Sequence, residues 1–509
     1  MRPNNHTHRI APIVAAAILA AAAILFWGLA SHAETTRDPA DAERVAEVTQ
    51  AATDFTEAEK YETNSGGAAT SHDPVNTSVF SHPSANMAFD RQLDFKVGDG
   101  IFRKLWVSAP SSTVSSDGLG PLFNARSCQT CHLKDGRGVP PEGDAAAVAL
   151  FLRLSIPPET DAQRAALETF RLPVIPEPTY GGQLQNFSIA GLHAEGRMVV
   201  DYEPVDVELA DGTIVTLRAP TYSVSDLNYG PMHPDAMFSP RLAPPMIGMG
   251  LLEDIPADDI LAHEDPDDAD GDGISGRANW SWNVAEDRLM LGRFGWKAGE
   301  PTIAQQSAHA FAGDIGISSA IASTWSGDCT DAQADCRGAP DGRDPDEGVE
   351  VPQKMFDLVV FYARNLAVPA RRDIDDPQVL AGKQLFYESG CVSCHVPKFV
   401  TGRETEPEQA FQLIWPYSDL LLHDMGPGLA DHRPEGAADG SEWRTAPLWG
   451  LGHAETVGSG RAFYLHDGRA TTILEAILWH GGEAEASKNN VVAMTKDERE
   501  ALLAFLRSL

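Results

Sequence analysis

The pentapeptide Cys128-Gln129-Thr130-Cys131-His132 constrains this chain more than any other stretch, and its pattern recurs once, as Cys391-Val392-Ser393-Cys394-His395. C-x-x-C-H is the spacing for covalent attachment of a c-type haem. Each thiol adds to one vinyl group, and the adjacent histidine stands beneath the iron as its proximal ligand. Two copies predict two covalent haem c groups, held by Cys128, Cys131 and His132 and by Cys391, Cys394 and His395. A zinc site would need two more Cys or His ligands at close spacing, and neither copy has them. The rest of the chain can therefore be read as what surrounds each iron.

Residues 1–33 have the form of a signal peptide. Arg2 and Arg9 precede an almost wholly apolar run, Ile10 to Ala30, and Ser31-His32-Ala33 offers a small-x-small cleavage site. An uncleaved anchor is the alternative, because the run is long enough to span a bilayer. The alanine-rich run and the cleavage site favour removal, and no later stretch is long and apolar enough to span. The expected location is the periplasm, without stable membrane insertion after cleavage. A net charge of −34 argues against nucleic acid and anionic membranes as partners. It suits a cationic partner such as a small basic cytochrome, and equally a merely soluble surface. The two cysteines outside the motifs, Cys329 and Cys336, lie in a polar loop and are expected to form a small disulfide in an oxidising compartment.

Residues 34–86 are polar, with little periodicity, and read as a flexible leader. Phe95 to Pro110 places apolar and aromatic residues at helical spacing. Met198 to Val224 alternates around an Asp211-Gly212 turn, which predicts a β-hairpin. Pro352 to Val368 reads as an amphipathic helix stopped by Pro369, closing the first haem region. Val379 to Tyr387 reads as a helix leading into Cys391, and the last helix, Lys496 to Leu509, is expected to pack across it. The fold class is mainly α, and the long separation of the two motifs places a hairpin-containing insertion in the first unit.

Further motifs carry a resemblance. They are Asn124 through His132 with Lys134-Asp135-Gly136-Arg137-Gly138, then Tyr180-Gly181-Gly182-Gln183-Leu184-Gln185 and Asp270-Gly271-Asp272-Gly273-Ile274-Ser275-Gly276-Arg277. Gly292-Arg293-Phe294-Gly295-Trp296-Lys297, His423-Asp424-Met425-Gly426-Pro427-Gly428-Leu429 and Leu465-His466-Asp467-Gly468-Arg469-Ala470 follow. Together these resemble the di-haem oxidoreductase family of peroxidases, once called thiol oxidoreductases, from about residue 87 to the end. That family is similar, more distantly, to bacterial di-haem cytochrome c peroxidases and to the MauG enzymes that mature methylamine dehydrogenase. The resemblance implies two cytochrome c-like haem domains, 87–372 and 373–509. It implies that the C-terminal haem takes electrons from a donor and that the N-terminal haem reduces hydrogen peroxide.

In the distant relatives the far-side ligand of the second haem lies on the helix after a Tyr-x-His-Asp-Gly turn. Here that turn is Tyr464 to Gly468, and the ligand position falls on His480, which implies a bis-histidine haem. Met425, in a Gly/Pro loop, and His466 are the alternatives. For the first haem, the relatives' Gln and catalytic Glu fall on Gln183 or Gln185 and on Glu195. A carboxylate over an open iron would take a peroxide proton and return it to the leaving oxygen. Otherwise Glu195 is a loop acid and Gln183 a backbone-pairing residue, or His193 or Met246 ligates the first iron.

Asp268, Asp270 and Asp272 have the acid spacing of a calcium loop, although its twelfth position is Asn279 in place of Glu. The relatives hold calcium between their haems, so calcium is expected here. Trp280, Trp282 and Trp296, as isolated aromatics, read as core residues; the resemblance offers the alternative that one lies between the irons as an electron relay, as in the relatives. The function implied is reduction of peroxide with electrons from a small redox donor. Two alternatives stay open: a non-enzymatic electron carrier with both irons six-coordinate, and a MauG-like oxidase acting on a protein partner.

Overall fold

The computed structural model describes residues 37–113, 116–143, 145–403 and 405–509. The signal peptide expected over 1–33 lies outside them. Two helix crossings of the same kind organise the chain. The helix Gln92–Phe102 packs on the helix Gln353–Arg364 around Phe95, Phe102, Val359 and Tyr362. Gly98 sits at the crossing, where a Cβ would stand 2.2 Å from the Leu358 carbonyl oxygen. Only glycine lets the two backbones come that close. The helix Pro377–Glu388, begun by a proline and an Asp376 cap, meets the final helix Lys496–Ser508 in the same way. There a Cβ on Gly382 would stand 1.9 Å from the Ala501 carbonyl oxygen. Phe386, Tyr417 and Phe505 pack ring against ring at this crossing. Each crossing holds one motif histidine: the Phe102 ring lies 6.2 Å from that of His132, and the Phe386 ring 6.2 Å from that of His395.

The fold is mixed, not mainly α. Helix accounts for 28% and strand for 16%, the strands lying in small sheets only. The difference arises because most of these ladders are short, and some join segments far apart in the chain. Leu150–Ser155, for example, pairs antiparallel with Met237–Leu242, a partnership no local pattern announces. The predicted hairpin is present. Arg197–Glu208 pairs with Ile214–Ser225 in register from Arg197↔Ser225 to Glu208↔Ile214, and Gly212 takes the positive φ its turn requires. The hairpin lies across elements near the second motif. Leu209 and Leu217 bury against Leu478, Arg499 donates to Asp211, Arg218 donates to the carbonyls of Gly468 and Arg469, and Tyr222 donates to Asp467.

The expected flexible leader is corrected from residue 37 onward. Pro39–Thr49 is a helix, Val79 and Phe80 are buried in the core, and Glu62 is 1% exposed. Glu62 pairs with Arg371 and, at 2.9 Å, with Lys383, while Glu59 pairs with Lys383 and Lys398. The leader's polar composition hid these pairs because every partner lies some three hundred residues away. No helix among the described residues is long and apolar enough to cross a membrane.

Candidate functional site

The first motif forms a single helical turn, Cys128–Cys131, on the wall of a cavity of about 370 Å³. His132 follows, and its Nδ1 donates to the Pro244 carbonyl oxygen at 2.8 Å. That bond fixes the ring and its tautomer and leaves Nε2 with its lone pair available to a ligand. Burial pulls His132 down to about 4, so the imidazole is neutral, as a metal ligand must be. The second motif stands on a cavity of about 200 Å³. His395 is held in the same manner, Nδ1 donating to the Tyr417 carbonyl at 2.8 Å, and burial again pulls it to about 4.

His480 also lines the second cavity, with its Nδ1 donating to the Ala476 carbonyl at 2.8 Å and its Nε2 free. It stands close enough to His395 for its charge to be among the influences that lower His395. Among the described residues, His132 is lowered by burial and raised by the Pro244 and Gly136 carbonyls. Met425 and His466 line the second cavity too. Met425 packs among Trp296, Trp443 and Trp479. The His466 ring is stacked flat on Trp443, 3.7 Å centroid to centroid. His423, also on this wall, is clamped between Asp419 at 2.8 Å and Glu483 at 2.7 Å.

The two cavities share a wall. Trp296 lines both, with its Nε1 donating to the Leu242 carbonyl at 2.8 Å. Trp280 and Trp282 line neither, and Arg171 covers Trp282 from outside.

The sequence profile of the family described as "di-haem oxidoreductase, putative peroxidase" matches residues 59–509. The chain belongs to this di-haem oxidoreductase family. No curated protein matches it significantly. Among solved structures, hydrazine synthase of Kuenenia stuttgartiensis, under xenon, is 18% identical with a TM-score of 0.21. That match covers 31% of this chain and 55% of the other, so the chain spans about half the length of that structure's chain.

Di-haem oxidoreductases carry haem, and the groups on both cavities suit it. Each presents a neutral, oriented imidazole and two thiols that are not paired with one another. Burial pushes Cys128 and Cys391 up to about 12. A thiolate is thereby disfavoured, which argues against a redox dithiol. Cys329 and Cys336, by contrast, form the expected disulfide.

The catalytic candidates of this di-haem oxidoreductase lie behind the first cavity's wall. Glu195 is fully buried, and both its oxygens are taken at 2.6 Å, by the Gln185 backbone N–H and by Gln333 Nε2. Gln183 donates to Asn124, to the Gly313 carbonyl and, at 3.0 Å, to Asp314. Neither Glu195 nor Gln183 lines the cavity; Asp314 does. Asp314 sits in the wide turn Phe311–Ile315 that ends the helix Ile303–Ala310, a local geometry frequent at functional sites. Burial pushes its carboxyl above the usual range. Glu300 and His309 face the same cavity, bonded to each other at 2.6 Å. Of these three groups the sequence carried no signal, because none belongs to a motif. His193 is exposed and away from the cavity, whereas Met246 lines it two residues after Pro244.

In the acidic loop the converging carboxylates are Asp265, Asp268 and Asp270. Asp272 caps the Ile274 N–H instead, and Asn279 is buried with its amide donating to the Lys297 and Glu435 carbonyls. The converging set thus has Asp265 where Asp272 was expected; all four of these acids also accept from backbone N–H groups of the loop. The loop is tied to the second motif, since Ser275 donates to Glu483, which holds His423.

Proposed function

We propose that the chain is a periplasmic di-haem peroxidase with covalently attached c-type haems on two cytochrome c-like domains. It reduces hydrogen peroxide at the first cavity with electrons received at the second. The observation that carries this reading is the asymmetry of the two cavities. On the second cavity His480 bonds the Ala476 carbonyl through Nδ1 and turns Nε2 to the site, whereas on the first the other imidazole, His309, is bonded through Nδ1 to Glu300 and shares the wall with Asp314.

Haem at each site supplies an iron that changes charge by one electron, and at an open face it accepts a small oxidant. The chain's residues do the rest. His132 and His395, oriented by the Pro244 and Tyr417 carbonyls, would hold the two haems, and His480 would join His395 in holding the second. Trp296, on the shared wall, is the bridge for electrons. Reducing one peroxide to two waters consumes two electrons and two protons. Asp314, positioned by Gln183, and the Glu300–His309 pair hold those protons at the first cavity. Calcium at Asp265, Asp268 and Asp270 would brace the loop that reaches Glu483. The donor is a small basic cytochrome drawn by the acidic surface.

Electron paramagnetic resonance of the oxidised and half-reduced protein tests the reading. The expected result is one low-spin bis-histidine haem and one haem whose high-spin signal changes when peroxide is added. Two low-spin haems unchanged in both redox states would make the protein an electron carrier.

A further inference from the structure

Two half-buried arginines stand between the cavities, and each lines both: Arg137 and Arg444. They bracket the bridge tryptophan. The Arg137 guanidinium lies 5.2 Å from the Trp296 ring centroid, and Arg444 Nε donates to the Gly295 carbonyl at 2.9 Å. Their remaining bonds go to neutral carbonyls, Arg137 to Leu465 at 2.8 Å and Arg444 to Thr445 at 3.0 Å. Among the described residues, neither guanidinium has a carboxylate within ion-pairing distance, unlike Arg241 and Arg433 of the first cavity, both paired with Glu435. Burial is the largest influence on both and pulls each down to about 10, so both stay cationic at neutral pH. A guanidinium has five N–H donors in a planar fork made for carboxylates. Burying that charge against carbonyls alone is costly, so the site is incomplete without an anion.

We propose that Arg137 and Arg444 form one shared carboxylate-binding site, which takes the propionates of both haems and sets both reduction potentials together. The proposal rests on the di-haem reading. A haem carries two propionates, and two haems facing a common wall bring their carboxylates to the same pair of cations. A fixed positive charge beside an iron favours its reduced state, because reduction adds negative charge. One substitution on the shared wall therefore moves both potentials, where a residue private to one haem moves one.

The test uses the full-length protein with haem attached, after a pyridine haemochrome assay has counted its haems. Redox titration followed in the visible then compares wild type with R137Q and with R444Q. The expected result is that each variant keeps two haems and that, at a fixed applied potential, the ferric-to-ferrous ratio of both rises, on the order of tenfold. A shift in one haem only, or in neither, overturns the shared site. A count other than two haems in wild type overturns the di-haem reading itself, and the two failures are thus separable. If the glutamine variants do not accumulate as folded protein, R137K and R444K carry the test. They keep the charge and lose the fork, so the potentials hold while the propionate bending bands in the resonance Raman spectra of both haems move. Bands that stay in place for either haem overturn the proposal.

Discussion

Asp314 and Glu195 show how differently two buried acids can serve one cavity. Asp314 faces it with a carboxyl that burial holds above the usual range, while Glu195 spends both oxygens on Gln185 and Gln333 one layer behind. Asp314→Asn keeps the shape and removes the proton. It should lower peroxide-dependent turnover by about 10²–10⁴-fold with the haem spectra unchanged. Glu195→Gln should leave that rate within a few-fold and cost about 1–3 kcal/mol of stability, because one backbone or amide donor loses its acceptor. The reverse pattern in steady-state assays would return the acid/base role to Glu195. His423 makes a second case. Burial pulls it down, but its bonds to Asp419, Cys394 and Glu483 push it up to about 12, while Glu483 is lowered to about 2. A raised histidine stabilises fully below its ordinary value of 6.5 and loses that contribution as pH climbs toward 12. A lowered glutamate stabilises fully above 4.5 and loses its contribution as pH falls toward 2. The unfolding free-energy gap between wild type and His423→Asn should thus be widest between pH 4.5 and 6.5, measured by urea titration across the range. A gap independent of pH would mean the clamp is not ionic.

The matching helix pairs depend on their glycines. A methyl at Gly98 or Gly382 would overlap a carbonyl oxygen of the crossing helix, at 2.2 and 1.9 Å. The helices must then separate, and the aromatic rings that hold each motif histidine separate with them. Gly98→Ala and Gly382→Ala should each cost about 1–3 kcal/mol in denaturant unfolding. Each should also disturb one haem spectrum alone, the first for Gly98 and the second for Gly382. Equal disturbance of both haems by either variant would contradict the independence of the two crossings. At this scale the sequence was legible where a local pattern sufficed. The closing helices, the hairpin and its Asp211-Gly212 turn all follow from periodicity and turn chemistry. The short two-stranded ladders were not, because most of their strands are too brief to show an alternation and Leu150–Ser155 meets its partner only at Met237–Leu242.

Across the whole molecule, ion pairs between remote segments bind what composition alone suggests is loose. Glu62 is buried against Arg371 and Lys383, and burial opposes its charge while those two cations hold its carboxyl below the usual range. Glu62→Gln strands two buried cations and should cost about 3–5 kcal/mol. Limited proteolysis should then cut within residues 37–86 before anywhere else; cleavage unchanged from wild type would show that the leader is held by other contacts. The two C-x-x-C-H turns were legible in the sequence, because that spacing lies within a few consecutive residues and is written locally. The same holds for the family motifs, which the match over residues 59–509 bears out. Only the tertiary structure decided which tryptophan borders both cavities, which acids face the first, and that Arg137 and Arg444 line both. Those choices depend on burial and on the meeting of segments hundreds of residues apart, and neither leaves a local trace in the chain.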